Sequence, residues 1–156
     1  MPFPNSSLYS ANFLSALNTP STAYPKLGTN TLKVALYNDA MSQVATGGTN
    51  LGYTTTGEVT GSGYTAGGES LTGRSWALDS EGRLLLTASN TTWSTVSISA
   101  VTGCVIYDSQ ATAPIANPCI VAIKFGSAGS SGGGAFTIDW ADSPSTNTIF
   151  FIDPTP

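Results

Sequence analysis

The 156-residue chain contains no histidine, which removes the commonest general base, the usual zinc ligand and every Ser-His or Cys-His nucleophile. Acid-base chemistry would then fall to the nine carboxylates Asp39, Glu58, Glu69, Asp79, Glu81, Asp108, Asp139, Asp142 and Asp153. A glycosidase needs two of these at a defined separation in an aromatic-lined cleft. Glu58 and Glu69 share one unusual stretch, Tyr53 to Leu71 (YTTTGEVTGSGYTAGGESL). Isolated loop glutamates are ordinarily solvated or bonded to main-chain amides, so no residue is assigned as catalytic. Gly61, Gly63 and Gly67 have the outline of a nucleotide-binding loop. That fingerprint requires a strand before it and a helix behind it, and the NTPase loop requires a following Lys-Ser/Thr; neither context is present. The glycines are expected to supply positive φ and close backbone approach.

Two further constellations bear on chemistry. If GCVIYD pairs in register with CIVAIKF, Cys104 and Cys119 lie about four residues apart along the ladder, roughly 13 Å at ~3.3 Å per residue. That exceeds the ~7 Å reach of a disulfide, so buried free thiols are expected, with no metal site and no cofactor. Trp76, Trp93 and Trp140 could form a sugar-binding platform, although strand tryptophans in a sandwich more often close a core or an interface.

The elements that must position these residues are mostly short strands. A helix is predicted over Ser7 to Leu17, capped by Ser6 or Ser7, with Leu8, Ala11, Leu14 and Leu17 on one side, stopped by Asn18, Thr19 and Pro20. Residues 1–31 read as an arm carrying this helix, which either docks on its own domain or reaches a neighbouring subunit. Residues 32–156 read as the folded body. Leu32 to Tyr37 alternates as a half-buried strand, and Asn38 to Gly52 reads as a surface loop. Arg74 to Asp79 and Arg83 to Ala88 form a hairpin about a tight Asp-Ser-Glu-Gly turn, with Trp76 and Leu78 on one face. Trp93 to Ala100 reads as a strand with an apolar face and a hydroxyl-lined face that ends in Trp93. Gly103 to Asp108 and Cys119 to Phe125 are strong strands, and Ala135 to Trp140 and Ile149 to Ile152 complete the set. The Gly/Ser run Gly126 to Gly134 reads as a mobile tip between strands. Seven to nine short strands with at most one helix indicate an all-β fold, a jelly-roll-like or Greek-key β-sandwich.

Composition narrows the role. Only 9% of residues are charged, against about 25% in ordinary domains, and the net charge is -4. Such a surface repels its neighbours weakly and favours assembly. Lys26, Lys33, Arg74, Arg83 and Lys124 are scattered, which argues against nucleic-acid binding. No positive stretch precedes the first apolar residues and no run suffices for a membrane span, so neither a Sec leader nor membrane insertion is expected. Two cysteines without an export signal point to synthesis in a reducing cytoplasm.

The order LKVALYNDAM, YTTTGEVTGSGYTAGGESL, TTWSTVSISA and GCVIYD resembles a pattern in small virion-associated proteins of tailed bacteriophages. In that pattern a strand leads into a GEV-G-GY-GG segment, and a later T-x-W strand precedes an IYD strand. The similarity covers Leu32 to Asp108, about half the chain. It implies a capsid cement or decoration protein: a jelly-roll-like sandwich on the outer surface of the virion, bound to the lattice of the major capsid protein and made in the bacterial host cytoplasm. The matching residues are Glu58, Val59, Gly61, Gly63, Tyr64, Gly67, Gly68, Trp93, Ile106, Tyr107 and Asp108. Among them Glu58, Gly61, Gly63, Tyr64, Gly67, Gly68, Trp93 and Tyr107 are the implied candidates for capsid or inter-subunit contact. A homo-oligomer, dimer or trimer, is expected, with the arm before Pro25 and the Gly-rich loop between subunits. A tail-associated component, a receptor-binding module or a carbohydrate-binding module would share this composition. An enzyme would not be expected to.

Overall fold

Two residue periods explain the architecture: apolar residues recur every second position in most of the chain and at helical spacing only near its start. The computed structural model describes residues 7–18, 23, 25–41, 51–140 and 148–152. Among them, β1 (Ser7–Leu8) leads into α1 (Ser10–Asn18), followed by β2 (Leu32–Tyr37), β3 (Glu69–Ser70), β4 (Ser75–Leu78), β5 (Leu84–Thr87), β6 (Thr91–Asp108), β7 (Cys119–Ile138) and β8 (Thr148–Ile152). They form two antiparallel sheets, ordered β1-β7-β6-β2-β3 and β4-β5-β8. The chain is therefore an all-β, sandwich-like fold, and the path from β2 to β6 detours through the smaller sheet. Leu32, Val34, Leu36, Val96, Val101 and Ile106 fill the main core, with Ile149 and Phe150 of the smaller sheet packed against it.

β2 is buried on both faces rather than one. Ala35 and Tyr37 belong to a second cluster with Tyr9, Met41, Val105, Tyr107, Cys119 and Ala122, which Leu51 and Tyr53 partly roof. This second cluster sets the buried side of α1. Tyr9, Asn12 and Phe13 point inward, whereas Leu14 is 57% exposed, so the expected Leu8-Ala11-Leu14 side is not the packed one; the side chain of Leu17 lies outside the described residues. The Asn12 amide fixes the helix by donating to the carbonyls of Leu51 and Cys119, both at 2.7 Å. β1 adds to β7 through Ser7↔Ala122 and Leu8↔Val121. The described part of the arm thus docks on its own chain. Ser6, most of the 38–52 loop and Pro20 lie outside the described residues.

The hairpin at 75–87 has the expected turn: Asp79 Oδ1 accepts from the amides of Glu81 and Arg83, each at 2.9 Å, and Gly82 adopts φ 78°. Trp76 sits edge-on against Phe150 with centroids 5.7 Å apart, while Leu78 is 71% exposed.

Three expectations fail in one place, the ribbon of β6 and β7. Trp93 to Ala100 and Gly103 to Asp108 are one strand of 18 residues, and Cys119 to Ile138 is one strand of 20. The Gly/Ser run is not a loose tip: Gly129 pairs with Val101, Ser131 with Ile98, Gly132 with Ser97 and Gly134 with Val96. The partner strand satisfies the main-chain groups that face it, so no side chain is needed to order the run. Trp93 lies 2% exposed beside Val96 and Ile98 in the core, not on the hydroxyl face. A register shift between Trp93 and Val96 inserts a residue and reverses the alternation. The inner half of the ribbon pairs Cys104 with Ile123 and Tyr107 with Cys119, and both cysteines are buried free thiols.

Candidate functional site

The 53–71 stretch folds around one carboxyl group. Glu58 forms an isolated bridge with Tyr37 at the end of β2 and is 7% exposed. Its Oε2 accepts from the Tyr53 hydroxyl at 2.5 Å, and its Oε1 accepts from the Tyr64 hydroxyl at 2.8 Å and the Gly67 amide at 2.7 Å. The ring of donors extends outward. The Leu36 amide donates to the Tyr64 oxygen at 3.0 Å, and the Tyr107 hydroxyl donates to the Gly67 carbonyl at 2.9 Å. Tyr53 stacks on Tyr107 with centroids 4.6 Å apart. A buried carboxyl group is tolerated when its lone pairs are filled in this way.

The glycines let the stretch approach the sheet. Gly68 has φ 65°, and a Cβ there would overlap the Val34 carbonyl oxygen. β2 pairs with β6 only from Gly103 to Asp108, which leaves the outer edge of β6 to be covered by other means. The 61–63 turn covers it: the Ser97 amide donates to the Ser62 carbonyl at 2.8 Å, and Cβ atoms on Gly61 and Gly63 would overlap the carbonyl oxygens of Ser97 and Thr95. The stretch is an edge guard as well as a clasp.

A second buried carboxyl group holds the arm. Asp108 Oδ2 accepts from the Lys26 amide at 3.1 Å and the Asn30 side chain at 2.8 Å, and Oδ1 accepts from the amides of Gln110 at 2.9 Å and Ala111 at 3.0 Å. Burial pushes the Tyr107 hydroxyl up to about 12, reinforced by the nearby Glu58 and Cys119, and burial alone pushes the Cys119 thiol up to about 12. Burial raises Tyr53 and Tyr64 further, with their bonds to Glu58 adding to the effect. These groups are held as proton donors, not as bases or nucleophiles.

The residues implied as contacts therefore divide. Glu58, Gly67, Gly68, Trp93 and Tyr107 are buried within the chain, Tyr64 is half-buried, and only Gly61 and Gly63 are exposed. Glu69, the other loop carboxylate, is exposed on β3 and takes no part in the clasp. Among the described residues no group of three or more His, Cys, Asp or Glu is placed to hold a metal, and no helix is long and apolar enough to cross a membrane.

No family model, curated protein or solved structure matches the chain.

The surface left open lies at the outer half of the ribbon. Thr92 to Thr102 and Gly126 to Thr137 contain no charged residue. Ser94, Thr95, Ser97 and Ser99 are exposed on β6, and Ala128, Ser130, Gly132, Gly133, Gly134 and Ala135 are exposed on β7. β1 pairs with β7 only at Val121 and Ala122, so among the described residues the far edge of β7 has no partner strand along 126–137. Beside this face, Phe125, Gly126, Ser127, Gly129, Phe136, Thr137, Ile138 and Asp139 line a cleft of about 310 Å³. The sequence drew attention to tryptophans and missed this cleft, because residues ten apart in one strand meet only when the strand is bent. It showed Asp108 as a motif residue but not its role as the acceptor that ties down residues 26–30, although an aspartate closing a strand before Ser-Gln is a recognisable turn signal.

Proposed function

We propose that the protein is a structural virion component, a phage capsid cement or decoration protein that binds the major capsid protein lattice on the outer surface of the head and acts as a homo-oligomer. The observation that supports this reading is the uncharged outer ribbon. Its hydroxyls, methyls and main chain are cheap to desolvate compared with charged side chains. The free edge of β7 offers unpaired main-chain groups to a neighbouring strand or loop. Contacts of this kind are individually weak, but a lattice repeats them and adds avidity through the protein's own oligomer. The clasp at Glu58 keeps the ribbon's other edge closed, so that only one face and one edge are presented. Among the described residues both buried carboxyl groups are engaged by main-chain, hydroxyl and side-chain amide donors, which favours a structural role over catalysis.

Co-sedimentation of the purified chain with expanded phage shells that lack it tests this reading. Saturation at a fixed ratio to the major capsid protein is the expected result. Absence of binding to shells, with binding to isolated tails, would move the protein to the tail and overturn the proposal.

A further inference from the structure

We propose that the cleft between residues 125–129 and 136–139 of the ribbon binds a neutral sugar ring, an inference that does not depend on where in a virion the protein sits. The cleft exists because β7 carries surplus chain. Gly103 pairs with Lys124 and Val101 with Gly129, so Thr102 alone on β6 stands opposite Phe125, Gly126, Ser127 and Ala128 on β7. A bulge of this size bends the strand and re-aims its side chains. Phe125 and Phe136 both line the cleft, and both are half-buried against the core.

The site is set in place rather than loosely open. Phe136 is braced from the core side by Trp93, edge-on, with centroids 6.1 Å apart. Gly129 makes room for the ring: a Cβ there would lie 2.8 Å from Phe136 Cε2. Thr137 is oriented by a 3.0 Å hydrogen bond between its hydroxyl and that of Thr92. The mouth carries the exposed carboxylate of Asp139, which makes no ion pair among the described residues.

The ligand class follows from this inventory. The volume, about 310 Å³, is at the small end of the range for ligand pockets, about 300–1,000 Å³. Two aromatic rings offer an apolar platform for the C–H face of a ring. Ser127, Thr137, Asp139 and the main chain of the bulge at Gly126 offer both donors and acceptors around it. A ligand with one apolar face and hydroxyls on its rim uses all of these groups. An anion meets Asp139 unfavourably, and a simple cation leaves the hydroxyl donors idle.

The experiment is amide-resolved NMR titration of the full chain with D-glucose, D-galactose, N-acetyl-D-glucosamine and L-rhamnose, with tetramethylammonium chloride titrated separately. Saturable shifts at Gly126, Gly129, Thr137 and Asp139 with at least one sugar are expected. Phe136→Ala and Asp139→Asn should each weaken that binding roughly ten-fold, the loss of about one charge-assisted contact or one stacking face. Asp139→Asn is a surface change that leaves the fold intact, so it keeps the test valid if Phe136→Ala misfolds. The proposal is overturned if no sugar shifts these amides, if Asp139→Asn binds at full affinity, or if tetramethylammonium alone produces the shifts.

Discussion

The Glu58 clasp and the outer β6–β7 ribbon are both rich in glycine, and they use it in opposite ways. In the clasp, glycine lets a loop press onto the sheet so that side chains can converge on one buried carboxyl group. In the ribbon, glycine removes side chains from a strand that its neighbour's main chain already orders. The first region is held by specific polar groups and presents little to the outside. The second is held by a ladder and presents a face without charge. A glycine-rich motif is therefore not in itself a contact surface; what matters is whether the chain around it is turned inward or left bare.

The contrast can be broken most severely at Glu58. Glu58→Ala leaves two partly buried tyrosine hydroxyls and the buried Gly67 amide without their acceptor and should cost about 3 kcal/mol in urea denaturation. Glu69→Ala on exposed β3 should stay within about 0.5 kcal/mol. Equal effects at the two positions would remove the clasp from the account.

High pH attacks the same region. Tyr107 is raised from 10.0 to about 12 by burial, and Tyr9, Tyr37, Tyr53 and Tyr64 are raised beyond it. The unfolded chain then releases protons that the folded chain retains, so the tyrosines' contribution to stability is full below pH 10 and is lost as pH rises towards 12 and above, and the buried Cys119 thiol, raised from 9.0 to about 12, adds to the loss from pH 9 upward. Denaturation midpoints followed across this window, with tyrosinate absorbance as the probe, should show ionisation of these tyrosines coinciding with unfolding.

Within the ribbon, two glycines should respond differently. Gly129→Ala forces Phe136 aside and should destabilise by about 1–2 kcal/mol. Gly132, where a Cβ would meet nothing within 4 Å, should accept alanine with no loss or a gain of about 0.5 kcal/mol. A small gain is also expected at Ala100, which adopts φ 55° at the register shift after Ile98. Ala100→Gly relieves that strain, and the midpoint should rise by the equivalent of about 0.5–1 kcal/mol.

Local signals in the sequence carried much of the fold. The Asp79 turn, the alternation of β2, and the pairing of GCVIYD with CIVAIKF each depend on a few neighbouring residues, and each is present in the structure. What escaped was non-local. Nothing near Gly126 to Gly134 marks it as strand, because its order comes from β6, which lies 30 or so residues earlier in the chain. Trp93 was placed on the wrong face because one inserted residue reverses alternation without leaving a compositional trace. At the candidate site, the GEV-G-GY-GG segment was visible as a unit, yet its inward turn depends on Tyr53, Tyr107 and the short reach of β2. The cleft at Phe136 depends on a bulge that only pairing reveals.

The most direct test of the central claim, that the uncharged ribbon face docks on the shell, is co-sedimentation of the double variant Ser97→Glu/Ser99→Glu. Both hydroxyls are exposed, between the buried side chains of Val96, Ile98 and Val101, so the fold and its melting temperature should be unchanged. The account predicts loss of saturable binding to expanded shells that the unmodified chain retains. Full binding by a folded double variant would contradict it.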